Sequence, residues 1–127
     1  MKTFIKILRW IWEFPQCLLG LILTKIYKVS YSETYKGIDV YTGSFPGGIS
    51  LGLYILMNDW SGEYTKDHEW GHTRQSLRWG WLYLPVVGIT SGIWCALHYL
   101  GWVTEDYYSV WPENKADKYG GVKRYGR

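Results

Sequence analysis

The sequence predicts an α+β fold, in which a small antiparallel sheet packs on a helix with a metal-binding pattern and on a closing C-terminal helix. Three observations carry this. Residues 26–59 are rich in Tyr, Val and Thr and are broken by turn signals, as short strands are. His68-Glu69-Trp70-Gly71-His72 fits the H-E-x-x-H pattern, which needs a helix to bring both imidazoles to one face. Pro112 opens a last helix, and Glu113, Ala116 and Asp117 fall at i, i+3 and i+4 along it. At 127 residues the chain has room for one core and little more. It divides into an N-terminal apolar helical segment, residues 1–27, and a domain over residues 28–127.

Taken in order, the first segment carries Lys2, Lys6, Arg9 and Glu13 as a narrow polar stripe on an otherwise apolar helix. Pro15 interrupts it, and Cys17 to Leu23 is uncharged. No small-x-small cleavage site follows, so no cleavable signal peptide is evident. The run after Pro15 is too short to span a bilayer. Two readings stand for residues 1–27, a helix packed on the domain or a Trp-rich helix lying in a membrane surface. The location is accordingly membrane-associated or cytoplasmic.

Ile26 to Tyr35 and Ile38 to Tyr41 read as strands around a Lys36-Gly37 turn, Gly43 to Gly48 as a loop, and Ile49 to Met57 as a third strand with Gly52 inside it. Asn58-Asp59 and Ser61-Gly62 close the region. The helix from about Lys66 to Trp79 follows, with Thr65 and Asp67 as cap and first-turn groups and Gly80 as a left-handed stop. Gln75 and Ser76 on it read as a solvated face or as partners of a neighbouring loop. Trp81 to Trp102 carries no formal charge, but Pro85, Gly88, Ser91 and Gly92 break a span pattern. It reads as an apolar loop over Leu82 to Ile89 and a buried helix over Ser91 to Leu100, with a membrane span as the alternative and His98 as a core or surface histidine. Residues 103–112 are an acidic, aromatic linker.

Net charge is +3 with 20% of residues charged, and no basic face marks a nucleic-acid partner. The cations are scattered apart from Lys123, Arg124 and Arg127. Nine Trp and 12 Tyr suit membrane interfaces and peptide-binding clefts equally. Cys17 and Cys95, each in an apolar run, read as buried free thiols and not as a disulfide framework.

The candidate site follows from ligand chemistry. His68 and His72, one turn apart, can share one Zn²⁺, and Glu69 between them can reach a water on it. A carboxylate can complete the ligand set, and Glu113 is the preferred third ligand, with Cys95 a weaker one. Asp117, one turn on, can hold a ligating imidazole by its other nitrogen. Small Ala116 lets the last helix approach closely.

These residues resemble the gluzincin zinc metallopeptidases, whose third ligand is the Glu of an E-x-x-(A/S)-D helix. The E-x-x-A-D form is typical of the CAAX-prenyl-type and related membrane peptidases. More closely, His68-Glu69-Trp70-Gly71-His72, Gln75-Ser76, Tyr83-Leu84, Val87-Gly88-Ile89 and Ser91 are similar to small bacterial metallopeptidase-like domains. Those domains occur free-standing or at the C-terminus of RHS-repeat toxins. Ala116-Asp117 and Gly120-Gly121-Val122 belong to the same pattern. The likeness covers about the C-terminal half, and residues 1–45 share no motif with it. Trp70 replaces the usual Tyr or Phe, and Thr90 stands where Pro is common. The resemblance implies a minimal gluzincin-like fold and an Asp117 bonded to a ligating imidazole.

The function expected is zinc-dependent hydrolysis of a peptide or protein substrate, with His68, His72 and Glu113 on the metal and Glu69 as general base. Tyr107 and Tyr108 are candidates for stabilising the oxyanion. The alternative is a non-catalytic, zinc-stabilised or membrane-associated interaction domain.

Overall fold

The computed structural model describes residues 2–59 and 63–123; the Ser61-Gly62 turn and Arg124 and Arg127 of the basic tail lie outside them. The fold is α+β, as expected. In order come α1 (Thr3–Trp12), α2 (Phe14–Ile26), β1 (Lys28–Tyr35), β2 (Ile38–Ser44), β3 (Gly48–Leu51) and β4 (Tyr54–Asn58). Three further helices follow, α3 (Glu63–Trp79), α4 (Ile89–Tyr99) and α5 (Glu113–Gly120).

β1 and β2 form an antiparallel hairpin. Lys36 and Gly37, at φ 50° and 86°, make its two-residue turn, with the backbone twist that hairpins favour. The stretch expected as one strand over 49–57 is two. Gly52, at φ +66°, turns the chain, and a Cβ there would stand 2.4 Å from Cys17 Sγ. β3 and β4 therefore pair antiparallel, and β4 lies parallel to β2, giving the order β1-β2-β4-β3. The sheet is mixed where an antiparallel one is expected, because β4 folds back between β2 and the edge strand β3.

The apolar core is small. Ile38, Val40, Leu53, Ile55 and Met57 pack with Cys17 of α2, and Trp10, Tyr35 and Trp70 close over them. Beside it lies a buried polar layer. The end of the polar stripe turns inward: Arg9 Nε donates to Glu13 Oε2 at 2.5 Å, and both side chains are buried. Ser76 Oγ donates to Glu13 Oε1 at 2.5 Å, and Gln16 Nε2 donates to Ser76 Oγ and to Gly80 O, each at 2.9 Å. Buried charge is tolerated here because each group has a partner. Ser76 is thus part of a buried network and not of a solvated face.

Two further expectations need correction. Gly80 is left-handed, at φ +56°, but does not stop the helix. The chain continues through a 3-10 turn (Gly80–Leu82) and a π-helix (Tyr83–Gly88) into α4, where a loop is expected. α4 itself has no buried residue. Trp94 Nε1 donates to Tyr107 O on one side of it, the other side is open, and Cys95, expected inside, is exposed while Cys17 is buried.

Candidate metal centre

α3 places His68 and His72 one turn apart, and α5 brings Glu113 to both. Glu113 Oε1 stands 2.9 Å from His68 Nε2 and 3.0 Å from His72 Nε2. One ligand atom from each of the three lies within 4.8 Å of the others, and all three side chains are buried. The cluster is a group that could hold a metal ion, and it is the His₂Glu set the spacing indicates.

This convergence depends on how closely the two helices approach. A Cβ on Gly71 would stand 1.8 Å from Ala116 O, and one on Gly120 would stand 2.0 Å from Asp67 O. Glycine at both points lets the backbones touch. α5 then ends at Gly121, left-handed at φ 73°, with Val122 N donating to Asp117 O.

The far nitrogens are tied down as well. His68 Nδ1 donates to Asp117 Oδ1 at 2.7 Å, the contact that the resemblance implies. His72 Nδ1 lies 2.6 Å from Gln75 Oε1. Gln75 Nε2 donates to Pro112 O at 2.9 Å, which turns its carbonyl oxygen to the imidazole. Both rings thus carry a proton on Nδ1 and turn Nε2 to Glu113. Here the Nε2 atoms hydrogen-bond the carboxylate; unprotonated, they and Glu113 would offer three donors to one cation, so the residues fit a metal.

The electrostatics agree. Burial opposes charge on Glu113, but hydrogen bonds to His68, His72 and Ser91 outweigh it and lower its pKa to about 2. Burial likewise opposes charge on His72, yet Glu113 and Glu69 raise it to about 9. The pocket favours positive charge. Glu69 differs: burial, the largest influence, holds its carboxyl above the usual carboxylate range.

Gln75 and Ser91 carry part of the resemblance, but sequence reasoning assigned neither a contact with the cluster. Ser91 Oγ donates to Glu113 Oε2 at 2.5 Å, fixing the carboxylate from its other side. Gln75 lies three residues beyond His72, a spacing that places both on one helix face, and that was its available signal. Ser91 has none of this kind, because it arrives from beyond the π-helix.

The cluster opens into a cleft of about 910 Å³ bordered by β3, the π-helix, α4 and residues 107–108. Glu69 and both tyrosines line it. Tyr108 sets its ring edge-on to His68, with centroids 5.1 Å apart. The Tyr107 hydroxyl bonds Ser91, and burial raises its pKa. Edge strand β3 runs past Glu69, since a Cβ on Gly48 would lie 3.3 Å from Glu69 Oε2. Cys95 lines the cleft outside the ligand cluster. His98 also stands apart from it, with its ring against Trp94 and Tyr107.

Asp117 and Gln75 hold the two imidazoles of the candidate cluster and lie outside it. Asp117→Ala and Gln75→Ala are each expected to weaken metal affinity by about 10–100-fold while leaving one metal per chain at saturation. Competitive titration with a chromophoric chelator measures this. Wild-type affinity in both variants would mean the imidazoles need no such support.

No protein-family model, curated protein or solved structure matches the chain, so its function is read from the site itself.

Proposed function

We propose that the protein is a zinc-dependent peptide-bond hydrolase. The observation that carries this is the convergence of His68 Nε2 and His72 Nε2 on one oxygen of Glu113, with Glu69 beside them at the wall of an open cleft. His68, His72 and Glu113 would hold the ion. A Zn²⁺ there lowers the pKa of water toward about 7 and polarises a carbonyl.

The remaining work falls to the chain's own groups. Glu69 takes the proton of the attacking water and returns it to the leaving amine, and its raised pKa suits a base that must later act as an acid. Tyr107 and Tyr108 offer hydroxyls at the cleft wall to the developing oxyanion. An extended peptide would pair along the edge of β3, which brings its main chain past Glu69. The resemblance of the H-E-x-x-H and E-x-x-A-D stretches to gluzincins supports the same reading.

The expected result is about one zinc per chain at neutral pH, together with cleavage in a peptide library that stops on chelation and returns with added zinc. Elemental analysis and mass-spectrometric profiling read the two. A chain that takes up no zinc would remove the proposal, and one that takes it up without cleaving any peptide would leave the interaction-domain alternative.

A further inference from the structure

The polarity of the N-terminal helices is inverted. α1 turns Arg9 and Glu13 into the protein and leaves Phe4, Ile7 and Ile11 outside, with Phe4 69% and Ile11 62% exposed. α2 continues this face with Leu18, Leu19 and Ile22, all exposed. Soluble monomers rarely show a continuous apolar patch beyond roughly 300–600 Å². The two helices meet at 103°, so their outer faces do not form one flat strip.

α4 adds the decisive feature. Positions 89, 90, 92, 93, 95 and 96 are all exposed, and at 100° per residue they cover an arc of roughly 220°, while Ser91, Trp94 and His98 on the remaining side face the protein. No charged residue occurs between Trp81 and Trp102. The helical run Tyr64–Tyr99 contains an 18-residue window of mean hydropathy 1.4 that is only 17% buried, unlike the core helix of a soluble protein. Leu19 of α2 and Ile89, Gly92 and Cys95 of α4 border one cleft, so this arc adjoins the exposed apolar face of α2.

Charge selects the kind of surface. In residues 2–28 the cations are Lys2, Lys6, Arg9, Lys25 and Lys28, and the single acid, Glu13, is closed on Arg9. Lys2, Lys25 and Lys28 are exposed. Trp81 and Trp102 bound the uncharged segment, as aromatic residues do at headgroup level.

We infer that the outer faces of α1 and α2 and the exposed arc of α4 seat in one leaflet of an anionic lipid bilayer. α4, with 11 residues, is roughly 16 Å long. That is too short to cross a hydrocarbon core about 30 Å thick, so the helix stays in one leaflet with Trp102 at its surface. The first half of the helical run carries the buried metal cluster and stays outside. Leu19, Ile89, Gly92 and Cys95 belong both to these helices and to the cleft wall. The cleft therefore opens at the lipid surface.

The chain supplies its own probe, since Cys95 is exposed and Cys17 is buried. The full-length protein, labelled at Cys95 with a polarity-sensitive fluorophore, is mixed with vesicles of phosphatidylcholine and phosphatidylglycerol. The label should shift to the blue and be quenched by lipids carrying acyl-chain spin labels. A label on Ser32→Cys in a Cys95→Ser background should not be, because Ser32 neighbours Glu33, which pairs with Lys66 near the start of α3. Ile93→Glu removes no core contact and should lower vesicle binding by roughly tenfold or more, with metal content unchanged. An unquenched Cys95 label on a monodisperse chain would overturn the inference. So would a lipid-free dimer that protects Cys95 from labelling. Neither readout involves hydrolysis, so the result is independent of the peptidase reading.

Discussion

Glu69→Gln should retain metal and fold while hydrolysis falls by roughly 10²–10⁴-fold, the usual contribution of a positioned general base. Glu69 is buried at the cleft wall beside two imidazoles that it does not hydrogen-bond among the described residues, so its carboxylate is left for substrate chemistry. Glutamine keeps the shape and removes only the ability to accept a proton. Its amide also avoids the charge that burial penalises, so the variant should be no less stable than the parent. Steady-state rates on a cleaved peptide, zinc content and thermal unfolding separate the three effects. Undiminished turnover would sink the mechanism. Equal metal binding with no activity in either protein would favour the interaction-domain alternative.

The ligand cluster was legible in the sequence because helical periodicity is a local rule. Four residues separate His68 from His72 and Glu113 from Asp117, and each pair fixes its own face. The E-x-x-A-D spacing even indicated the close approach at Ala116. What local rules do not give is which polar residues end up inside. Gln75 and Ser76 look like a solvated face on α3 alone. They are buried because α1 and α2 bring Glu13 and Gln16 onto Ser76, and because the residues before α5 bring Pro112 O onto Gln75.

The same limit applies to the sheet. The composition of residues 26–59 indicates strands, but one glycine inside an apolar run fits a bulge as well as a reversal. Only the contact between Gly52 and Cys17 Sγ explains the reversal, and that contact joins two distant stretches. Residues 81–102 show a third case. Apolar content without charge fits a core helix and a lipid-facing helix alike, and α4 has neighbours on one side only and no buried residue.

Gly71→Ala should destabilise the protein and disperse the metal cluster, although at an exposed helical site the same change would stabilise by up to about 1 kcal/mol. The sign turns on one contact. The added Cβ would stand 1.8 Å from Ala116 O and 2.8 Å from Ala116 Cα, so the obstacle is backbone and not a flexible side chain. α5 must move outward by more than an ångström to admit the methyl. Overpacking of this kind typically costs about 1–3 kcal/mol, enough to reverse the helix-propensity gain. Glu113 moves with α5, and its contacts of 2.9 and 3.0 Å to the two imidazoles open together. Asp117 leaves His68 in the same displacement. Zinc affinity should therefore fall by more than the 10–100-fold expected from losing Asp117 alone. Denaturant unfolding and chelator competition on the same preparation read both effects. Raised stability and unchanged affinity in the Gly71→Ala variant would show that α5 does not need backbone contact with α3 to deliver its ligand.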